Sequence, residues 1–178
     1  MHLLTTNIRT MKKLAVVLIT LILASSTSTA QNTAKLQSIF IYNFIKLIEW
    51  PASYKSGTFN ITVLGNDQIY TELMNLAKVK KAGSQTIKVK KINSLGELAN
   101  PHILYIPKTK GSKVSDAKTS IGSKATLLIS DTNNGTGKGS DINFVVVGNK
   151  PKFEIKTSSA QSKGLKISSN LVNLGIKK

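Results

Sequence analysis

The segment Gly135-Thr136-Gly137-Lys138-Gly139 has the residue types that can cradle a phosphate. Glycines let backbone N–H groups approach an anion, and a lysine neutralises it. The spacing fits neither familiar fingerprint. A P-loop needs glycine at position 132 and a hydroxyl residue after the lysine, where the chain has Thr132 and Gly139. A dinucleotide loop needs glycine at position 140, held here by Ser140, and a following helix where the next residues predict a strand. The segment is therefore read as an exposed loop whose glycines allow positive φ. Metal and nucleophilic chemistry fare no better. His102 is the only histidine beyond residue 30 and there is no cysteine, so a usual ligand set cannot be completed. A lone histidine opening an apolar strand is expected as a satisfied core residue rather than a ligand. There is no Gly-x-Ser-x-Gly, and one histidine alone to act as base. Asp131 and Asp141 flank the glycine loop, where acids commonly serve as caps or turn formers. Glu154 sits between Phe153 and Ile155 and must point away from both, to solvent or to a lysine. These residues support neither an enzyme nor a bound cofactor or metal.

The elements that would position these groups follow from periodicity. A helix is expected over about Ala34 to Trp50, ended by Pro51, because the residue before a proline avoids the helical region. Lys35, Ser38, Tyr42, Lys46 and Glu49 would face outward, and Leu36, Ile39, Phe40, Ile41, Phe44, Ile45, Leu47 and Ile48 would cover the rest. So wide an apolar surface implies burial on more than one side, against a sheet or a partner chain. The side carrying Tyr42, Lys46 and Trp50 is the candidate for partner or dimer contact, since aromatic anchors dominate many interfaces.

Phe59 to Leu64 reads as a strand stopped by Gly65-Asn66-Asp67, followed by a helix from Gln68 to Lys78. Thr86 to Ile92 alternates apolar residues with lysine, as expected for a strand at a sheet edge. A short helix near Ser94 to Ala99 precedes the continuous apolar run His102 to Ile106. A polar helix over Ser112 to Ile121 precedes a second such run, Ala125 to Ser130. Both runs suit central parallel strands covered on two faces. After the loop from Asp131 to Asp141, strands at Ile142 to Val147 and Lys152 to Lys156 flank a hairpin signal, and helical segments near Ser158 to Lys163 and Ser168 to Leu174 close the sequence. The fold class is α/β, with an open, mainly parallel sheet, a C-terminal β-hairpin and helices on both faces. Ligands of such sheets bind outside the carboxyl ends of the strands, which singles out Gly65, Asp67, Ser130, Asp131 and Asn143 as candidate pocket residues.

Composition narrows the setting. Lys12 and Lys13, the apolar run Leu14 to Ala24 and the small residues ending in Ser28-Thr29-Ala30 have the order of a cleavable signal peptide starting at Met11. The run is short of the roughly 20 apolar residues that span a bilayer, and no later segment reaches that length. The exported chain would be one domain over residues 31–178, without disulfides and, lacking a cysteine to lipidate, without a lipid anchor. Its 22 basic groups are all lysine, against 8 acidic ones. Without arginine's planar fork it is a poor nucleic-acid reader, and the lysines are read as a solvated surface, with attraction to anionic cell-envelope polymer as an alternative use.

Four segments resemble one family, in order. Ser38-Ile39-Phe40-Ile41-Tyr42-Asn43-Phe44-Ile45-Lys46-Leu47-Ile48-Glu49-Trp50-Pro51 resembles the opening motif of the YfiR-like family, in which Tyr-Asn-Phe-x-Lys precedes Glu-Trp-Pro. Phe59 to Gly65 is similar to its first strand and turn, and Pro101 to Ile106 to a strand that often begins Cys-His. Gly139 to Phe144, Phe153 to Ile155 and Gly164 to Leu171 match its C-terminal pattern. The resemblance implies a periplasmic, non-enzymatic protein of Rossmann-like fold, often dimeric. The namesake binds the outer sensor part of an inner-membrane diguanylate cyclase and holds it inactive, so that release raises cyclic di-GMP and promotes biofilm formation. Relatives are found with other membrane sensors, so the partner transfers less readily than the fold, and a histidine kinase is an alternative to a cyclase. Pro101 replaces the family's cysteine, Lys156 an asparagine and Ser140 a glycine. Without cysteine, the redox control attributed to the namesake does not carry over. A small-ligand binding protein is the remaining alternative.

Overall fold

The structure, a computed structural model, describes residues 32–178. The signal peptide expected before them lies outside the described residues. In chain order the elements are α1 (32–47), β1 (Ile48–Glu49), β2 (Thr58–Leu64), α2 (Gln68–Val79), β3 (Lys81–Ala82), β4 (Gln85–Ile92), β5 (Ile103–Ile106), α3 (Val114–Ile121), β6 (Leu127–Ser130), α4 (Gly135–Lys138), β7 (Ile142–Val147), β8 (Lys150–Ile155), α5 (Thr157–Gln161), β9 (Lys166–Ile167), α6 (Ser169–Leu174) and β10 (Ile176–Lys177).

The apolar runs become five parallel strands in the order β4-β2-β5-β6-β7, extended by β3 beyond β4 and by β8 and β10 beyond β7. Numbered along the parallel set this is 2-1-3-4-5, a doubly wound α/β arrangement whose direction reverses between β2 and β5. β7 and β8 form the expected antiparallel hairpin, with Val147 opposite Lys150. β9 and β10 were not expected: two-residue strands have no periodicity to read, and they form because β1 and β8 offer them ladder partners.

Side chains alternate between two cores, as a pleated strand requires. Ile103 and Tyr105 of β5 face α1, α2 and the C-terminal helices, whereas Leu104 and Ile106 face α3. α1 is anchored by aromatic contacts: Phe44 lies 4.9 Å from Phe153 in an edge-on pair and 6.0 Å from Phe144, and Phe40 lies 5.9 Å from Phe153. Each such buried side chain contributes about 1.5–3 kcal/mol. α1 stops earlier than expected, at residue 47, because Ile48 and Glu49 pair with Ile167 and Lys166. Its polar stripe is also shifted. Ser38 is buried, its hydroxyl returned to the Lys35 carbonyl at 2.7 Å, while Ile39 is 48% exposed. The sheet absorbs most of the helix's wide apolar surface.

Asp141 and His102 are among the polar groups buried in this framework. Asp141 is not a cap: its carboxylate is fully buried, accepting from the Leu128 N–H at 2.7 Å, the Ser159 hydroxyl at 2.8 Å and the Lys163 ammonium at 2.5 Å. Lys163 also donates to the Thr126 carbonyl at 2.7 Å. His102 is 5% exposed and satisfied at both nitrogens, as expected. The Asn60 N–H donates to Nδ1 at 3.1 Å, and Nε2 lies 2.8 Å from the Tyr54 carbonyl, which makes Nε2 the protonated nitrogen. Glu154, facing away from Phe153 and Ile155, pairs with Lys178 at 3.0 Å.

Removing one partner of a buried ion pair leaves an uncompensated charge, so Lys163→Ala is expected to cost about 3–5 kcal/mol in denaturant unfolding. Lys166→Ala, at a side chain that is 81% exposed, should leave the transition where it is. Burial lowers the pKa of His102 below 6.5, against the Tyr54 hydrogen bond, which raises it. The unfolded histidine thus takes a proton at higher pH than the folded one. Its contribution is fully present above 6.5 and is lost as pH falls through the depressed value. Melting temperatures should fall from pH 7 to about pH 5, and His102→Gln should flatten that slope.

Candidate functional site

A depression of ≈ 710 Å³ opens at the carboxyl ends of the parallel strands, on the side of α1. Asp67 and Gln68 reach it from the end of β2, Lys108 from beyond β5, and Asp131 from beyond β6. Phe40 of α1 and Phe144, Val146 and Pro151 of the β7–β8 hairpin form its apolar walls. This is where the reversal of strand order opens a crevice in a doubly wound sheet.

A polar relay lies beneath its floor. The Tyr105 hydroxyl, 1% exposed, donates to Gln37 Oε1 at 2.9 Å, and Gln37 Nε2 donates to Asp131 Oδ2 at 3.0 Å. Burial, and then the charges of Asp131 and Asp67, hold the Tyr105 hydroxyl well above its ordinary 10.0, so it remains a donor at every physiological pH. Asp67 caps α2 by accepting from the Ile69 N–H at 3.0 Å. Gln37 and Tyr105 were not singled out from the sequence. The available signal was a lone amide on an otherwise apolar helix face and a lone hydroxyl in an apolar strand, two polar groups that burial obliges to pair.

The five expected pocket residues do not all meet here. Asp67 and Asp131 line the depression. Ser130 and Asn143 project to the opposite face of the sheet and are fully buried. Asn143 Oδ1 accepts from Ser130 at 2.7 Å and from the Thr132 N–H at 3.1 Å, and its amide donates to Glu154 at 3.3 Å. Gly65 is buried and packs against the Lys110 side chain. The glycine loop is likewise occupied with packing. It contains one helical turn, α4, and Gly135 lies so close to the side chains of Ser130 and Asn143 that a Cβ would collide with both.

The outer side of α1 forms a second feature. The ammonium groups of Lys46 and Lys80 lie 5.1 and 5.8 Å from the centre of the half-buried Tyr42 ring, a cation–π arrangement whose two lysines are exposed. Lys80 comes from the end of α2, which no helical pattern in α1 announces. Trp50 does not share this surface. It is 5% exposed, packed edge-on against Phe59 at 5.0 Å, and its indole N–H has no partner among the described residues. Among those residues no group of three or more histidine, aspartate or glutamate side chains is placed to hold a metal ion, and no helix is long and apolar enough to cross a membrane.

No curated protein matches the chain. Among solved structures it is similar to a conserved domain protein of Vibrio cholerae O1 biovar El Tor, with a TM-score of 0.54 and 11% identity. The likeness covers 81% of this chain and 59% of the length of the other, and at that identity it shows a shared fold alone. A family profile described as YfiR/HmsC-like (DUF4154) matches residues 34–176, from the first turns of α1 to β10. That family is known for periplasmic regulators of diguanylate cyclases rather than for catalysts. A match of this extent covers the aromatic anchor of α1, all five parallel strands and the hairpin, and the chain belongs to the YfiR/HmsC-like family.

Proposed function

We propose that the chain is an exported regulator that works in the periplasm, docking on the outward-facing sensor domain of an inner-membrane signalling protein. A diguanylate cyclase is the first candidate partner and a histidine kinase the second; a homodimer belongs to the same reading. The observation that carries it is the family match over residues 34–176. The Tyr42–Lys46–Lys80 surface supports it by offering an aromatic group with its cations already in place. The large excess of lysine over acidic groups supports fast approach to an acidic partner face.

Regulation of this kind is a population shift. Moving a sensor from 1:99 to 99:1 requires about 10⁴-fold tighter binding to one state. With no cysteine in the chain, release cannot use disulfide exchange and must come from a ligand or from a change in the sensor. The cleft beside Asp67 and Asp131 favours a second reading, a small-ligand binding protein. A thermal-shift screen with nucleotides, amino acids and sugars tests it, and the absence of stabilisation at millimolar ligand would reject it.

Deleting the gene should change cellular cyclic di-GMP if the partner is a cyclase, and cross-linking in intact cells should join the chain to a membrane sensor. Lys46→Ala combined with Lys80→Ala, both exposed, should weaken that cross-link about tenfold without lowering the melting temperature. Unchanged cyclic di-GMP together with no membrane sensor cross-linked would contradict the proposal.

A further inference from the structure

The outer edge of β4 is open. The Gly65 N–H donates to the Ile92 carbonyl at 2.7 Å, so Ile92 turns its backbone polar groups toward β2. By the alternation of a pleated strand, Lys88 and Lys90 do the same, while Ile87, Val89 and Lys91 turn their N–H and C=O groups outward. β3 pairs with Gln85 and Thr86 alone, and among the described residues nothing pairs with the edge from Ile87 to Ile92. The register of β4 against β2 is unbroken from Thr86 to Ile92, so no bulge twists this edge away, and it contains no proline. The hairpin strand β8, toward the other side of the sheet, carries Pro151.

Two further features accompany the open ladder. Lys88 and Lys90 stand exposed on one face of the strand and Lys91 on the other, with Lys81 opposite Thr86 at its start. A depression of ≈ 530 Å³ runs beside it, with Met74, Ala77, Ile87 and Val89 among its walls. Lysines on an edge ordinarily prevent self-association, and two copies of so lysine-rich a chain repel each other here. Toward an acidic strand the same lysines attract.

We propose that the β4 edge accepts an extended, acidic segment of a partner protein as an added strand. The outward groups of Ile87, Val89 and Lys91 supply the main-chain bonds, the lysines select acidic side chains, and the neighbouring depression takes apolar ones. The edge is continuous with the surface described above, because Lys80, beside the Tyr42 ring, is followed directly by Lys81 of β3. The inference rests on the proposed docking role for the origin of the segment, which would be the outward domain of the membrane protein.

The test uses a blocked ten-residue peptide alternating valine and glutamate, added to the ¹⁵N-labelled, processed chain. Amide hydrogen exchange at Ile87, Val89 and Lys91 should slow by about tenfold or more, with little change at Lys88 and Lys90, which already bond to β2. Raising salt, or replacing the glutamates with lysine, should remove the effect. Val89→Pro removes an outward donor at no cost to the β2 ladder and should weaken binding about tenfold or more. If that variant does not fold, Lys88→Glu with Lys90→Glu carries the test and should abolish binding. Protection without this alternation, equal protection by the lysine peptide, or protection that grows with protein concentration alone (a second copy on the edge) would overturn the inference. A sensor that cross-links equally to the parent chain and to either edge variant would leave the docking role standing and reject this edge. If no sensor cross-links at all, the docking role fails and the peptide result decides the edge by itself.

Discussion

A sheet covered on both faces leaves no place for an unpaired charge, and this chain meets that constraint at Asp141. The carboxylate lies between β6 and β7 with no access to water, held by a backbone N–H, a serine hydroxyl and the Lys163 ammonium. Lys163 follows α5, and its second bond goes to the Thr126 carbonyl just before β6. One ion pair therefore fastens the C-terminal helices to the centre of the sheet. The β7–β8 hairpin, which walls the cleft, leads directly into α5, and β10 returns to pair with β8. A hydrophobic pair of similar volume would hold the same space with less desolvation cost, but it would not fix the Leu128 N–H or the direction of α5.

A second polar network lies beside it and likewise ends in an ion pair. Ser130, Ser140, Asn143, Thr136 and Glu154 form one connected set that ends at Lys178. Burial alone would raise the pKa of Glu154, yet hydrogen bonds from Lys178, Thr136 and Asn143 outweigh it and lower the value below 4.5. The glycine loop that resembles a phosphate cradle is part of this set. Gly135 is required by the close approach of Ser130 and Asn143, not by an anion.

What the sequence disclosed follows from the range of the forces involved. β2, β4, β5 and β6 were legible because each is a long apolar or alternating run, and Glu154 because parity on a strand is local. The fate of Asp141 was not legible, since its partner lies 22 positions away. β1 and β9 exist because of each other, and the pairing draws Ile48 out of α1. In the cleft, the rule of the carboxyl ends located Asp67 and Asp131, but it does not say which face a residue takes. Ser130 follows Ile129 on β6 and Asn143 follows Ile142 on β7, so both point to the α3 side. Helical spacing places Trp50 beside Tyr42 and Lys46, but the helix ends at residue 47 and Trp50 turns inward.

The register between β2 and β5 has a kinetic side. Ile61 must find Ile103, and β2 cannot be covered on its inner flank until the polypeptide has advanced about forty residues beyond it. Parallel pairings of such separation form slowly, because the intervening loop must be ordered before any contact rewards it. The strand order that opens the cleft thus also imposes on folding a central pairing that spans about forty residues.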